Sequence, residues 1–323
     1  MRRISAIVVV ALAFPALAAG SARDVKLALV AYSTPKDAYS KIIPAFLKTP
    51  AGKGVGFSQS YGASGEQARA VVQGLPADVV ELSLAPDIST LVQAHLVPSN
   101  WDKNKYHGIV TRSVVVFTVR SGNPKHIRTW GDLLKSGVEV VTPNPFTSGG
   151  ARLNVMASYG GALRSGKTSK QAIACLTELF KKHVVAQPSS AREALQTFLS
   201  GKGDVLLSYE NEAILAKSKG QSVNWVAPKS TILIENPIAV TSTTKHGSEA
   251  KAFVRFLYTP QGQSLFAQTG YRPVLKSVQK KFNFTNPKQL FTIGYVGGWP
   301  TVQKKFFDPN KSVMATIERS LGG

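Results

Sequence analysis

The chain has 323 residues, of which 43% are hydrophobic, and its 39 Lys and Arg against 18 Asp and Glu give a formal net charge of +21. The apolar content excludes a disordered chain, and the length suffices for two lobes with separate cores. The single cysteine, Cys175, excludes an internal disulfide. Basic residues occur in runs of no more than two, so the charge favours encounters with anions without indicating a nucleic-acid site.

The first residues have the pattern of an export signal. Arg2 and Arg3 precede an apolar run over residues 4–14, and Ala16 and Ala18 form a small-x-small cleavage site. A cleavage site after Ala22 fits as well. The apolar run is short for a membrane-spanning helix, and no cysteine follows that could carry a lipid anchor. We therefore predict a signal peptide at residues 1–22 and a soluble, periplasmic mature protein.

Strands and helices alternate along the rest of the chain. Apolar runs at residues 25–31, 79–84 and 113–119 predict buried strands, and residues 37–47 predict a helix. This alternation is typical of an α/β fold with parallel sheets.

One segment predicts an anion-binding site. The strand-like run 138–141 leads through a Pro-rich turn into Ser148-Gly149-Gly150, where residues with helical spacing begin. The first four N–H groups of a helix have no partner within the helix, and the helix dipole favours an anion at that end. Glycines let a ligand approach the backbone closely. An ordinary helix cap remains the structural alternative.

Two further helix starts have the same character. Ser64 opens a helical run with Gln67 three residues on, and Ser190 opens another with Glu193 three residues on. Both fit a capping box, which by itself is only structural. Spacing alone does not establish that the three starts meet.

Residues 59–68 and 144–152 resemble the two signature motifs of the sulfate-binding proteins of bacterial ABC importers, and the likeness continues through residues 203–213. The resemblance covers nearly the whole chain after residue 24. It implies an α/β fold of two lobes with the ligand in the cleft between them. We place one lobe at residues 23–110 plus 240–323 and the other at 111–239, with crossover strands near 113–119 and 238–241.

The resemblance also implies the ligand and the partners. We expect a monomer that holds sulfate or thiosulfate and delivers it to the membrane permease of an ABC importer, without a cofactor, a metal ion or nucleic acid. The implied ligand groups are the backbone N–H groups of Ser33, Ser64, Gly149, Gly150 and Ala191 and the side chains of Ser148 and Tyr209. Arg152 and Arg192 follow two of these loops, and we expect them to fix loop shape or to offset charge.

The chain departs from the family pattern at two of these positions. Ser33 stands where the family commonly has Asp, and Tyr209 stands where it commonly has Trp. These departures leave the preference between sulfate and thiosulfate open, and a phosphate or molybdate receptor remains an alternative.

A rival from another class is a nucleotide-binding protein. Residues 161–168 match the P-loop pattern G-x-x-x-x-G-K-T, but the preceding residues have helical periodicity where a P-loop needs a strand. The five histidines are scattered without the spacing of a zinc site. We find no catalytic constellation and predict that the chain is not an enzyme.

Overall fold

The computed structural model describes residues 25–321, so the predicted signal peptide lies outside the described residues. Among those residues, no helix is long and apolar enough to cross a membrane. The chain folds into a mixed α/β structure in which helices cover both faces of an extended sheet. The predicted fold class is therefore correct, although the sheet contains antiparallel as well as parallel pairs.

The strands follow one another as β1 (Val25–Tyr32), β2 (Val55–Gly62), β3 (Val79–Glu81), β4 (Ile109–Arg120), β5 (Val140–Val141), β6 (Val184–Ala186), β7 (Val205–Tyr209), β8 (Val223–Val226), β9 (Ser230–Val240), β10 (Arg272–Pro273) and β11 (Gln289–Phe291).

The helices are α1 (Lys36–Leu47), α2 (Ser64–Val72), α3 (Ala85–Gln93), α4 (Gly149–Arg164), α5 (Ser169–Glu178), α6 (Ala191–Leu199), α7 (Glu210–Ser218), α8 (Gly247–Leu257), α9 (Pro260–Ala267), α10 (Lys276–Gln279), α11 (Gly298–Val302) and α12 (Val313–Arg319). Short helical turns lie at Pro50–Gly52, Trp130–Leu134, Leu179–His183, Ile293–Val296 and Gln303–Phe307.

Two long antiparallel strands join the halves of the sheet, whose order is β2-β1-β3-β9-β4-β7-β5-β6. Strand β9 pairs with β3 through Ile238–Val240, and its earlier residues pair with the first half of β4. The second half of β4 pairs with β7 and β8. The strand groups β2-β1-β3 and β7-β5-β6 are parallel within themselves. Each group therefore presents the carboxyl ends of its strands along one edge, where ligands of open α/β sheets bind.

Separate apolar clusters lie under the helices that start at those edges. Val30, Val80 and Ile88 belong to a cluster beneath α2 and α3, and Val141 and Phe198 belong to one beneath α6. Helix α4 is buried almost all round, which explains why its sequence has little amphipathic pattern. These cores fix the helix starts relative to the strand ends.

The lobe boundaries remain a prediction. The contacts of the C-terminal segment favour a different boundary from the one predicted from sequence. Strand β11 pairs with Ser230–Ile232 of β9, and the ring of Phe291 lies where a side chain at Gly160 would be. The Tyr159 and Phe306 rings are 4.7 Å apart. Since this segment contacts α4, we propose that residues 289–321 belong with the lobe at 111–239 rather than with the other lobe, where the predicted boundary placed them.

Candidate anion-binding site

The predicted helix starts meet at one place. The loop after β1 carries Ser33, α2 begins at Ser64, α4 at Gly149 and α6 at Ala191, and Tyr209 caps α7. Each of these positions follows a strand end or begins a helix, so the convergence comes from the sheet topology.

Contacts between the loops show how closely they approach. The N–H of Gly65 donates to the carbonyl of Thr147 at 3.1 Å. A Cβ at Gly149 would overlap the Ser83 hydroxyl and lie 2.8 Å from Leu84 Cδ2. The chain segments on the two sides of the predicted cleft are therefore in contact around the site.

Further contacts place Tyr209 and Ser33 beside the same helix starts. A Cβ at Gly150 would lie 3.4 Å from both the Tyr209 hydroxyl and Ser148 Oγ. The N–H of Arg192 donates to Ser33 Oγ at 3.4 Å, which sets the start of α6 against the loop after β1. These contacts bring the loop after β1, the starts of α2, α4 and α6, and Tyr209 together at one place.

The backbone donors at this place are unused. The N–H groups of five predicted ligand residues make no hydrogen bond to any other group of residues 25–321. These residues are Ser33, Ser64, Gly149, Gly150 and Ala191. Four of these residues are buried and Ala191 is partly exposed, and buried N–H groups are almost always paired in proteins, so this cluster of free donors favours a bound acceptor. A small, fully deprotonated oxyanion satisfies such a set.

At this place two buried hydroxyls, those of Tyr209 and Ser83, make no well-formed hydrogen bond to the described residues, although Ser83 lies close enough to Tyr209 to lower its pKa in part. Tyr209 is 1% exposed, and its burial raises the pKa of the hydroxyl, so the group keeps its proton and can donate. Sequence analysis missed Ser83 because it extended the preceding strand through residue 84. The available signal was a small residue after a buried strand, just before the helix start Ala85-Pro86.

The Ser64 hydroxyl does not cap α2 as the capping-box pattern predicted. Helix α2 already includes Ser64, and the side chain donates to Asp87 Oδ2 at 2.5 Å and accepts from the Ser83 N–H at 2.9 Å. Its backbone N–H remains free, as the ligand assignment requires. Ser190 does cap α6, accepting from the Glu193 N–H at 3.2 Å, and Ser148 caps α4.

The Arg152 side chain lies behind the loop that starts α4. Its Nε donates to the Pro145 carbonyl at 2.9 Å, and Nη1 lies 4.0 Å from Asp87 Oδ1 and 3.3 Å from Gln303 Oε1. Burial lowers the pKa of Arg152 despite the nearby Asp87 carboxylate. These contacts agree with a role in loop shape and charge balance, which stays a prediction.

The Arg192 guanidinium links the two sides of the predicted cleft. It forms a bidentate pair with Glu212, at 2.8 and 2.9 Å, and donates to Asp37 Oδ2 at 2.6 Å and to the Thr34 carbonyl at 3.0 Å. Burial opposes its charge, but Glu212 and Asp37 outweigh that effect and raise the pKa of Arg192 above its usual value. Lys219 also pairs with Asp37.

The rival sites are not supported by the geometry. The first residues of the P-loop pattern, 161–164, form the last turn of α4, and the residues before them belong to the same helix. A P-loop must follow a strand, so the P-loop interpretation is wrong. No cluster of three metal-binding side chains occurs within residues 25–321. Glu210 and Glu212, which are two residues apart in sequence, form separate ion pairs: Glu210 with Arg272, and Glu212 with Arg192.

Two strand groups joined by long strands, with several helix starts brought together at the strand ends, form an arrangement typical of solute-binding proteins. The model of the family described as bacterial extracellular solute-binding protein matches residues 27–272. A sulfate-binding protein of Synechococcus elongatus is 44% identical over 89% of this chain and 85% of its own length. A thiosulfate-binding protein of Pseudomonas aeruginosa is 36% identical over 86% of this chain and 88% of its own.

A solved structure agrees with these relatives. The sulfate-binding protein SubI from Mycobacterium tuberculosis H37Rv has 45% identity and a TM-score of 0.85, covering 88% of this chain and all of that one. The chain therefore belongs to the bacterial extracellular solute-binding proteins and, within them, to the family of the sulfate- and thiosulfate-binding proteins.

Proposed function

We propose that this chain is the extracellular receptor of an ABC importer and that it captures sulfate or thiosulfate. The observation that carries the proposal is the cluster of five unpaired backbone N–H groups from three helix starts and the loop after β1. The names of the relatives, all of them binding proteins, support the same ligand class and argue against an enzyme.

In this proposal uncharged hydrogen-bond donors stabilise the negative charge of the anion. The backbone N–H groups of Ser33, Ser64, Gly149, Gly150 and Ala191 contact its oxygens, and hydroxyls of Ser148 and Tyr209 complete the set. Hydrogen bonds to a charged acceptor are roughly twice as strong as neutral ones, and a dry cleft strengthens them further. The positive ends of α2, α4 and α6 all favour the same charge.

Ligand capture is coupled to closure of the two lobes. The donors of Ser33 and Ser64 come from one side of the cleft and those of Gly149 and Ala191 from the other, so an anion that contacts both sides stabilises the closed form by its differential affinity. We propose that the closed form is what the membrane permease recognises, and that the receptor acts as an exported monomer.

Calorimetry of the purified mature protein against sulfate, thiosulfate, molybdate and phosphate tests the proposal. We expect one anion per monomer, with sulfate or thiosulfate bound most tightly, and a smaller radius of gyration by small-angle scattering when the anion is present. Tightest binding of phosphate or molybdate would replace the proposal with one of those receptors. Saturation without any compaction would count against lobe closure.

A further inference from the structure

A second cavity lies away from the anion site, among α4, α5, the turn Trp130–Leu134 and the residues before β9. Its volume is about 350 Å³, which is within the usual range for small-molecule sites. Buried residues form its floor, among them Ala162, Leu179 and Pro228. The cavity is therefore large enough for a molecule much bigger than sulfate.

The walls of this cavity are apolar and fixed. The indole of Trp130 packs directly over the backbone of Gly161, where any Cβ would overlap the ring. Its Nε1 donates to the Ser230 carbonyl at 2.8 Å, and the Phe117 ring packs edge-on at 4.8 Å. The indole thus holds its position without a ligand and presents an aromatic wall.

The polar groups around the cavity favour an anion. Three basic residues line it, Arg164, Lys167 and Lys229, and no acidic residue does. None of the three forms an ion pair with a carboxylate of the described chain. Lys167 and Lys229 are exposed at the rim, whereas Ser158 is buried.

We propose that this cavity is a second binding site, for a small organic anion with an aromatic or aliphatic body and one sulfonate or carboxylate group. The body lies between Trp130 and Leu179, and the charged group faces Lys167 and Lys229 at the rim. Binding here is independent of the anion site, since the two sites have no residue in common.

The experiment uses the mature protein saturated with sulfate and the fluorescent probe 1-anilinonaphthalene-8-sulfonate. A second probe, N-phenyl-1-naphthylamine, has the same aromatic body without the sulfonate. We expect one saturable site for the sulfonate and at least tenfold weaker binding of the neutral probe. The double variant Lys167→Glu/Lys229→Glu, at exposed positions, is expected to weaken binding of the sulfonate roughly tenfold.

Two controls locate the probe. Lys170→Glu/Lys181→Glu makes the same charge change at exposed residues that do not line the cavity and is expected to bind the probe normally. Cys175 lines the cavity and is the only cysteine, so the bound probe should slow its reaction with N-ethylmaleimide. Equal binding of both probes, displacement by sulfate, or an unprotected Cys175 would each overturn the proposal, whereas sulfate affinity should be the same in all variants.

Discussion

The Gly65 N–H and the Thr147 carbonyl are joined by a 3.1 Å hydrogen bond between the start of α2 and the loop before α4. These residues lie on opposite sides of the predicted cleft, and each is adjacent to a predicted ligand residue, Ser64 or Ser148. The described conformation is therefore closed around the site. Variants that disturb this closed arrangement can be distinguished from variants that only remove a donor.

Gly149→Ala is expected to abolish tight sulfate binding. The added methyl group would overlap the Ser83 hydroxyl and crowd Leu84, so the closed form cannot be reached unless both of these side chains move. We expect at least a 100-fold loss of affinity by calorimetry, with little change in the melting temperature of the ligand-free protein. Gly56→Ala is the control, because a methyl group there meets only the Val25 carbonyl, at 3.9 Å. Normal affinity of Gly149→Ala would refute the assignment of this helix start.

Tyr209→Phe is expected to weaken sulfate binding about 10- to 100-fold, since one hydrogen bond to a charged group contributes about 1.5–3 kcal/mol. The substitution also removes a buried hydroxyl that makes no well-formed hydrogen bond to the described residues, so the ligand-free fold should be about as stable as the wild type. Tyr159→Phe is the control, because Tyr159 lies in α4 and its hydroxyl bonds to Ser169. An unchanged affinity of Tyr209→Phe would exclude the phenol from the ligand shell.

Phosphate is expected to bind more weakly than sulfate. Every proposed ligand group is a donor, and the buried Asp87 carboxylate beside α2 already accepts from the Ser64 hydroxyl. Hydrogen phosphate brings a P–OH proton that needs an acceptor, and leaving it unpaired costs about 1–3 kcal/mol, or roughly a factor of ten to a few hundred. Titration with both anions at pH 5 and pH 8 measures the ratio. Equal affinities at either pH would reveal an acceptor in the cleft.

Asp37→Asn is expected to lower sulfate affinity about threefold to tenfold by weakening the closed form. Burial alone would raise the pKa of Asp37, but hydrogen bonds from Lys219 and Arg192 outweigh it and hold the pKa below its usual value. The pair is partly exposed, so we expect a modest effect that decreases at high salt. Glu178→Gln is the control, because it removes an ion pair with Lys182 that lies within α5 and the helical turn that follows it. A variant that binds sulfate normally at low salt would show that this ion pair does not assist closure.

Glu81→Gln is expected to change how stability depends on pH. Burial raises the pKa of the Glu81 carboxyl to about 8, although the hydrogen bond from Tyr39 lowers it in part. Between its unfolded value of about 4.3 and about 8, the folded state holds a proton that the unfolded state has lost, so stability falls as pH rises. The fall is about 1.4 kcal/mol for each pH unit in that window.

Denaturant unfolding of the wild type and Glu81→Gln at pH 5 and pH 8 checks this slope. We expect the variant to gain stability relative to the wild type as pH increases, whereas the exposed control Glu139→Gln follows the wild type. Parallel curves for Glu81→Gln and the wild type would mean that the carboxyl ionises in the folded protein without cost.

Much of the fold could be predicted from sequence because the strands are buried and the helix starts carry Ser and Gly. The strand at residues 25–31 and the helix start at Gly149 were predicted to within a residue. The clustering of the predicted ligand residues could not be derived from spacing, since Ser33 and Ala191 are 158 residues apart and meet only through the order of the strands. The family resemblance provided their convergence.

The parts that sequence analysis missed depend on side-chain contacts. Ser83 was assigned to a strand because apolar residues continue past Glu81, yet the chain bends there and the hydroxyl enters the site. The packing of Phe291 and Phe306 on α4 leaves no periodic signal in that helix, because a helix buried almost all round is not amphipathic.

Most of the proposed ligand groups are peptide N–H groups, and this has a genetic consequence. Alanine substitution removes a side chain but leaves the amide in place, so an alanine scan over Ser33, Ser64 and Ser190 would understate the importance of these loops. Substitutions that add atoms, at Gly149 or Gly150, or that delete the N–H, as proline does, should dominate any collection of variants selected for loss of uptake.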